Sequence, residues 1–411
     1  VTYHWTDNCC DGNLTSLLVL TACAKQAPSV PTLGGCEGTD VQNKFSLYPF
    51  ALSMVETDTA YYGISNFHYF ITYNDKSTGI SGPLCSDPDC THNNKYCLAY
   101  VGVHAPLLSA YNGSLYFLAP DFTNDPKDAT LFLWKTDLSG RNREKIKELS
   151  PIDLIIPYQP QQYFIHRGYL YVLGQSNDVT QRNVSERITL MRSPLDSSKE
   201  FSILYDEKFQ CNSEVTLRFV GDRAYLELKQ WPQNGSSAEI TLKLYAFDLT
   251  TGQQETLADE QIGMEIGHLW VTAEGKIYLP IYEENAWKIC TLQNGQWQTV
   301  FSFDSKYDAI DIADGVAAAN YCGEGGSARM LCVKGFSGKT LYEGEMFPGG
   351  LGQYVEKPDE IGYCCIGGDT NYLYYNIFPT DGGSCAIRLD IQNGMKADVL
   401  WNEKNDFKNV E

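Results

Sequence analysis

The most concentrated set of reactive side chains in the sequence is a short run with three cysteines and one histidine. Cys85, Cys90, His92 and Cys97 follow the pattern C-x4-C-x-H-x4-C within 13 residues. Three thiolates and one imidazole satisfy the tetrahedral coordination that Zn²⁺ prefers, and four protein ligands leave no open position for a substrate. The run is therefore a candidate zinc site, and a structural site is expected rather than a catalytic one.

Two other states of these cysteines fit the same residues. The spacing is not that of a standard zinc finger, so a disulfide between two of the three thiols, or three free thiols, remains open. The local sequence suits a compact loop, because Asp87-Pro88-Asp89 predicts a turn. Cys90 and His92 are two positions apart and would point to the same side of an extended segment.

The elements that must position this loop are predicted from a repeat along the chain. A turn residue is followed three positions later by Tyr inside an apolar run, and the successive steps between markers are 47, 55, 54, 53, 40 and 56 residues. The copies are Gly113 to Tyr116, Gly168 to Tyr171, Asp222 to Tyr225, Gly275 to Tyr278 and Asn371 to Tyr374, with weaker copies at Asn66 to Tyr69 and Gly315 to Ala318. Asp-containing turns follow at Asp137 to Gly140, Asp248 to Gly252 and Asp390 to Gly394. Each unit holds about four strand-like runs, which predicts an antiparallel sheet per unit.

Units of this length predict an all-β fold, a β-propeller with seven four-stranded blades; six or eight blades are the alternatives. One or two β-sandwiches would also produce short strands, but with only coincidental spacing. We expect a single propeller domain over residues 44–405 and a tail over residues 406–411. The strand-like segment 44–55 is expected to complete the last blade and close the ring.

Cysteines outside the loop suggest further cross-strand neighbours. Cys322 and Cys332 flank a Gly-rich turn, and Cys364 or Cys365 precedes Cys385 across another turn. Facing positions of a hairpin are close enough for a disulfide only in some registers.

The composition excludes some partners. The net charge is −20 and no basic patch is evident, which argues against nucleic acid and against anionic membrane surfaces. The sequence has no G-x-S-x-G, H-E-x-x-H or P-loop motif. His68, His166 and His268 lie near predicted first strands, but their different offsets from the marker favour packing or surface positions over a shared site.

The N-terminal residues contain a second informative segment. A short apolar run over residues 17–22 ends at Cys23, and a segment rich in Pro, Ser and Thr follows. This pattern resembles a bacterial lipoprotein signal, although the residues before it contain no Lys or Arg. The resemblance implies that residues 1–22 are a signal-like segment, that Cys23 is the lipid anchor, and that residues 23–43 are a disordered tether.

Together the loop and the repeat resemble a group of uncharacterised propeller-containing surface lipoproteins of Gram-positive anaerobic bacteria. The matching residues are Cys85, Asp87, Pro88, Cys90, His92 and Cys97. The resemblance implies export and attachment to the outer face of the cell membrane, and it implies no established activity.

The expected function is that of a binding or protein-interaction module. A rigid propeller presents its loops around one axial opening, and the ligand is expected to be a glycan, a peptide or a protein. The chain is expected to be a monomer that contacts the membrane only through its lipid. The alternative is a glycan hydrolase or lyase that uses axial carboxylates, which would need two carboxyl groups facing a substrate.

Overall fold

The protein is described by a computed structural model. It describes residues 44–45, 54–65, 69–93, 95–102, 107–121, 131–149, 162–180, 183–196, 200–231, 240–262, 265–322, 329–350, 352, 361–379 and 383–406. No helix among these residues is long and apolar enough to span a membrane. Cys23 and the rest of residues 1–43 lie outside the described ranges, and so do residues 407–411.

Seven antiparallel sheets follow one another along the chain, and each is a meander of consecutive strands. Blades one and two comprise β1 (Met54–Glu56), β2 (Ala60–Ile64), β3 (Ile71–Asp75), β4 (Ser81–Pro83), β5 (Leu108–Tyr111), β6 (Ser114–Pro120), β7 (Leu131–Asp137) and β8 (Glu144–Leu149). Blades three and four comprise β9 (Gln162–His166), β10 (Tyr169–Thr180), β11 (Asn183–Pro194), β12 (Ser202–Phe209), β13 (Asn212–Val220), β14 (Arg223–Trp231), β15 (Ile240–Asp248) and β16 (Gln254–Ile262).

The remaining three blades have the same order. Blade five comprises β17 (Glu265–Ile266), β18 (Trp270–Val271), β19 (Ile277–Glu283), β20 (Ala286–Gln293) and β21 (Gln296–Ser302). Blades six and seven comprise β22 (Ala309–Ala313), β23 (Val316–Cys322), β24 (Arg329–Gly335), β25 (Thr340–Glu345), β26 (Ile361–Gly368), β27 (Tyr372–Pro379), β28 (Cys385–Asp390) and β29 (Lys396–Asn402), and the short helix α1 (Glu403–Asp406) follows. The predicted seven four-stranded blades of a β-propeller are confirmed.

Blade five has two short pieces in place of one first strand. Both β17 and β18 pair with β19, and the interruption lies at Gly267, whose N–H donates to the Pro280 carbonyl at 2.8 Å. Pro280 has no backbone N–H and cannot donate a hydrogen bond to the first strand, so pairing between the two strands is weakened at this point. Taken together, β17 and β18 form the first strand of a four-stranded blade.

The first strand of each blade lies nearest the axis. First strands of successive blades contact one another, as β1 does β5, β5 does β9, and β22 does β26. Fourth strands lie at the rim, and β21 is largely exposed along its length. Because each blade is an antiparallel meander of four strands, all first strands run in the same direction, and they begin at the same end of the ring.

The repeat marker predicted from the sequence lies at the turn between first and second strands. Its tyrosines are buried in the second strands, with Tyr171 and Tyr374 both 0% exposed. The marker copy predicted for blade one, Asn66 to Tyr69, is wrong, because Tyr69 lies beyond β2 and has a positive φ of 58°. The true copy is Asp58 to Tyr61, which enters β2 as the other copies enter their second strands.

The Asp-containing turns join third and fourth strands. In the turn at Asp137, Oδ1 accepts the N–H groups of Ser139 and Arg141, both at 2.9 Å. The turns at Asp248 and Asp390 have equivalent bonds. Asp75 makes the same turn in blade one, with N–H bonds from Ser77 and Thr78 at 2.9 and 2.8 Å. This copy was not identified from the sequence.

The prediction that the segment 44–55 completes the last blade is wrong for Met54 and Val55, and residues 46–53 lie outside the described residues. Met54 and Val55 belong to β1 and pair with β2, while all four strands of blade seven come from residues 361–402. Among the described residues, side chains join blade seven to blade one. Phe45 is buried against Tyr374 of blade seven, with ring centroids 4.8 Å apart, and Trp401 packs against Gly63 of blade one.

The short helix α1 at the end of the described residues contacts blade one. Asp406 belongs to α1, and its Oδ2 accepts hydrogen bonds from Ser81 Oγ of blade one and from the Asn402 N–H, both at 3.0 Å. The last residues of the domain therefore join blade seven to blade one.

Candidate metal centre

The loop with Cys85 is an excursion from the fourth strand of blade one. The strand β4 ends at Pro83, and the Leu84 N–H still donates to the Ile71 carbonyl at 2.8 Å. The chain then leaves the sheet and returns at Tyr100, which forms a bridge with Phe70. The returning residues pair with the start of β3, through the Ile71 N–H to the Ala99 carbonyl and the Val101 N–H to the Tyr69 carbonyl, both at 2.8 Å. The neck of the excursion therefore lies between Cys85 and Cys97.

The four predicted ligands converge at this neck. One ligand atom from each of Cys85, Cys90, His92 and Cys97 lies within 4.8 Å of every other. His92 Nδ1 is 3.4 Å from Cys97 Sγ. With Zn–S bonds of about 2.3 Å, sulfur atoms at the corners of a tetrahedron lie roughly 3.8 Å apart, so the set has the size of a zinc site.

Local turns bring the ligands together. The Asp87 carbonyl accepts the Cys90 N–H at 3.3 Å, and Asp87 Oδ1 accepts the Asp89 N–H at 3.0 Å, so the predicted Asp-Pro-Asp turn is present. His92 has a positive φ of 55°. A residue with a Cβ is disfavoured in this left-handed region, and such a conformation at a functional position is held by the surrounding structure.

The thiols differ in their exposure to solvent. Cys97 is buried, 3% exposed, and packs with Phe70 and Ala99, whereas Cys85 and Cys90 are half-buried. Burial raises the pKa of the Cys97 thiol, and the neighbouring Cys85 and Cys90 thiols raise it further. All three cysteines are free thiols in the structure.

Blade two contacts both ends of the neck. Gly140 has a φ of 76°, and a Cβ added there would lie 2.5 Å from the Leu84 carbonyl oxygen, so the turn fits against the residue before Cys85 only as glycine. Arg143 Nη1 donates to the carbonyl of Leu98 at 3.0 Å and to that of Tyr100 at 2.8 Å.

The other cysteine pairs suggested by the sequence are wrong. Cys322 pairs with Arg329 across its hairpin, and Cys332 pairs with Ala319, so the two cysteines are not opposite each other. Cys385 lies in β28 and Cys364 in β26, with β27 between them. One intervening strand separates their backbones by about 9–10 Å, beyond the Cα distance of a disulfide.

Sequence reasoning missed a charged network at the start of the first strand of blade four. Glu214 Oε1 lies 3.1 Å from Lys229 Nζ and 3.3 Å from His268 Nδ1. The Glu214 side chain is 40% exposed, while those of Lys229 and His268 are 3% and 16% exposed. The only signal in the sequence was the alternation of Glu214, Thr216 and Arg218 along β13, which places them on one face.

This network extends into the interior. Glu227 is fully buried, accepts the Leu269 N–H at 3.2 Å, and has its pKa raised by burial. Arg218 Nε donates to the Leu269 carbonyl at 3.1 Å, and its guanidinium lies 5.3 Å from the Trp270 ring. Burial lowers the pKa of Arg218 to about 10. His166, by contrast, bonds the Gly221 carbonyl at 2.6 Å, and His68 lies outside the described residues.

No family model matches the sequence, and no curated protein matches it either. Among solved structures, the chain is similar to oligopeptidase B from Leishmania major at 8% identity, with a TM-score of 0.48, over 87% of this chain and 49% of that one. It is similar to an acylaminoacyl peptidase of Pyrococcus horikoshii at 12% identity, with a TM-score of 0.47, over 90% and 56%.

A third similarity is to the β-propeller domain of the Trilobed protease from Pyrococcus furiosus. The identity is 11% and the TM-score 0.44, over 85% of this chain and 98% of that one. The chain spans about half the length of the two peptidases above.

Proposed function

We propose that Cys85, Cys90, His92 and Cys97 hold a structural Zn²⁺ ion in an exported, membrane-tethered propeller that acts as a binding or interaction module. The observation that supports the metal site is the convergence of four zinc-type ligand atoms within 4.8 Å at the neck of one loop. A disulfide needs only two of these thiols and gives no reason for an imidazole and a third thiol to approach them.

The proposed ion closes the excursion in blade one. This blade is the smallest of the seven in its described strands, which are 3, 5, 5 and 3 residues long. A small sheet buries little apolar area, and a metal crosslink is one way in which small units are stabilised. The ion joins the end of β4 to the residues that resume pairing with β3. It has no open coordination position, so its role is structural.

Metal content tests this proposal. Residues 28–411 are purified without chelator, and zinc per chain is measured together with free thiols under denaturing conditions. We expect about one zinc per chain and three fewer accessible thiols in the native protein than after chelation. Cys90→Ser and His92→Ala should each lose the zinc. Cys211→Ser, which replaces a half-buried thiol between blades three and four, should keep it. A wild-type chain without zinc that lacks two free thiols would establish a disulfide instead.

The proposed binding function is supported by the arrangement of the first strands around the axis of the propeller. First strands surround the axis and begin at one end, where Glu214, Lys229 and His268 form a charged network. The Glu214 carboxylate is bound by two basic side chains, and the Glu227 carboxyl is buried. These two groups are not arranged as an exposed carboxyl pair that flanks a substrate, which favours binding over the alternative of glycan cleavage.

The tether is proposed from the sequence around Cys23. Labelling with an alkyne-bearing fatty acid in a Gram-positive host should modify the wild-type chain and not Cys23→Ser. Surface exposure is then read from protease digestion of intact cells.

Ligand class is tested by thermal shift of residues 28–411 with defined cell-wall glycans and peptides. Release of new reducing ends from the same glycans would support the enzyme in place of the binding module.

A further inference from the structure

Arg143 is placed beside the proposed metal centre but belongs to the next blade. It immediately precedes β8, and its Nη1 atom binds the carbonyl oxygens of Leu98 and Tyr100. Leu98 follows Cys97 directly, Tyr100 lies three positions after it, and both belong to the segment in which the chain returns to the sheet. A single side chain of blade two therefore fixes the backbone on one side of the neck.

The surroundings of the guanidinium are unusual for a cation. It lies 4.9 Å from the centroid of the Phe117 ring and 4.5 Å from that of Trp134, and its hydrogen-bond acceptors are uncharged carbonyls. Among the described residues, no carboxylate lies within ion-pair distance of it. Burial lowers the pKa of Arg143 to about 10, and Cys97 is the residue whose charge raises it.

The charge of the centre complements this cation. Three thiolates and one neutral imidazole around Zn²⁺ carry a net charge of −1. A buried charge is tolerated where an opposite charge lies nearby, and groups that surround a metal site orient its ligands and tune its affinity.

We propose that Arg143 is the counter-charge and positioning residue of the metal centre, and that it couples metal occupancy to the seam between blades one and two. The proposal rests on the zinc centre proposed above. Gly140 strengthens the same coupling, because the turn that holds it fits against Leu84 at the other side of the neck. Loss of the ion removes the anionic partner of Arg143 and loosens both contacts of blade two with the excursion.

The test compares Arg143→Gln and Arg143→Lys in the zinc-loaded chain. The rate of zinc transfer to a chromogenic chelator should rise about 10-fold or more in Arg143→Gln, as for other groups that support metal ligands. Arg143→Lys keeps the charge but lacks the planar guanidinium that packs on the Phe117 and Trp134 rings, so we expect an intermediate rate. Arg187→Gln, which breaks an exposed ion pair with Asp206 in blade three, is the matched control and should transfer zinc at the wild-type rate.

Two further measurements separate positioning from a general loss of structure. The Co²⁺-substituted variants should keep the thiolate-to-metal absorption of the wild type, which shows that the four ligands still bind. Amide exchange of Ile71 and Val101, which pair with the resumed strand, should be faster in Arg143→Gln than in the control. A transfer rate within two-fold of wild type, or unchanged exchange at these amides, overturns the coupling. Absence of zinc from the wild type overturns the centre itself, and the coupling with it.

Discussion

The Lys44 ammonium group lies 2.8 Å from Asp369 Oδ2, and so joins the residues before blade one to the first turn of blade seven. The same ammonium contacts Glu56 of β1 and lies 3.4 Å from the Tyr374 hydroxyl. The ion pairs lower the pKa of Glu56 against the opposing effect of its burial. Lys44 thus adds an ionic contact to the packing that closes the ring, and the side chains of Lys44, Glu56 and Asp369 are each about one-fifth exposed.

Replacing Lys44 with Met should weaken this closure. The change leaves Asp369 without this cation in a partly buried setting, while Lys76 still pairs with Glu56 at 2.6 Å. We expect a loss of about 1–2 kcal/mol of unfolding free energy. Equilibrium unfolding in urea at low ionic strength measures it. Lys288→Met is the control, since its partners Glu283 and Glu284 lie on an exposed hairpin of one blade. A loss no larger than that of the control would show that apolar packing alone closes the ring.

The apolar part of the same closure can be tested at Gly63. A Cβ at this position would lie 2.5 Å from the Trp401 ring, which is 0% exposed. Gly63→Ala should therefore destabilise the protein by about 1–3 kcal/mol through overpacking, measured by urea unfolding. Gly82→Ala is the control, because no atom lies within 4 Å of a Cβ added there. Partial recovery in a Gly63→Ala, Trp401→Phe double variant would assign the loss to this contact.

The network at His268 predicts a dependence of stability on pH. Burial lowers the pKa of His268 well below its usual value of 6.5, and the charges of Lys229 and Arg218 lower it further. The unfolded chain takes up a proton at this residue below about pH 6.5, and the native chain does not. The contribution of His268 is therefore complete above pH 6.5 and is lost as the pH falls towards its native pKa, by up to about 1.4 kcal/mol per pH unit.

His268→Gln removes this titration and leaves the other groups that face it, namely Glu214, Lys229, Arg218 and Glu227. The difference in unfolding free energy between wild type and variant should shrink from pH 7.5 to pH 5.5. Glu227, whose pKa is raised, titrates in both proteins and is largely cancelled by the comparison. A difference that stays constant with pH would contradict the assignment.

Removal of the proposed zinc should lower thermal stability. A crosslink that closes a loop of about 15 residues contributes roughly 3 kcal/mol in the chain-entropy model, and the proposed site closes a loop of similar length. Chelation should lower the melting temperature of the wild type by several degrees and leave that of Cys90→Ser unchanged. Scanning calorimetry with and without chelator measures both. A wild type insensitive to prolonged chelation under partly denaturing conditions would argue against a stabilising ion.

Features that depend on residues close together in the sequence could be predicted. Asp137 and Gly140 fix their turn through bonds within a few residues, and the predicted tyrosine markers, Tyr69 excepted, lie in strands that follow a turn. Cys85 and Cys97 were placed together correctly because a short loop holds them. The copy at Asp58 was missed, since Asp-Thr-Ala-Tyr lacks the glycine or asparagine that identifies most other turns.

Features that depend on contact between blades could not be predicted. Arg143 follows Cys97 by 46 positions, and nothing in the local pattern shows that its guanidinium reaches the Leu98 carbonyl. The same holds for Lys44 and Asp369, which are 325 positions apart. The pair Cys322 and Cys332 was wrong because its register could not be read from the sequence. The pair Cys364 and Cys385 was wrong because strand β27 lies between them.

The way in which the chain is divided among the blades has consequences for folding during synthesis and for circular permutation. Each blade is completed by one continuous stretch of chain, so every strand pairing is formed between near neighbours in sequence, and contact order within a blade is low. During synthesis each sheet can therefore form as soon as its segment has left the ribosome. The contact of Lys44 with Asp369 forms only after blade seven has been synthesised. For the same reason, a circularly permuted chain that begins at any connection between blades would retain seven whole sheets.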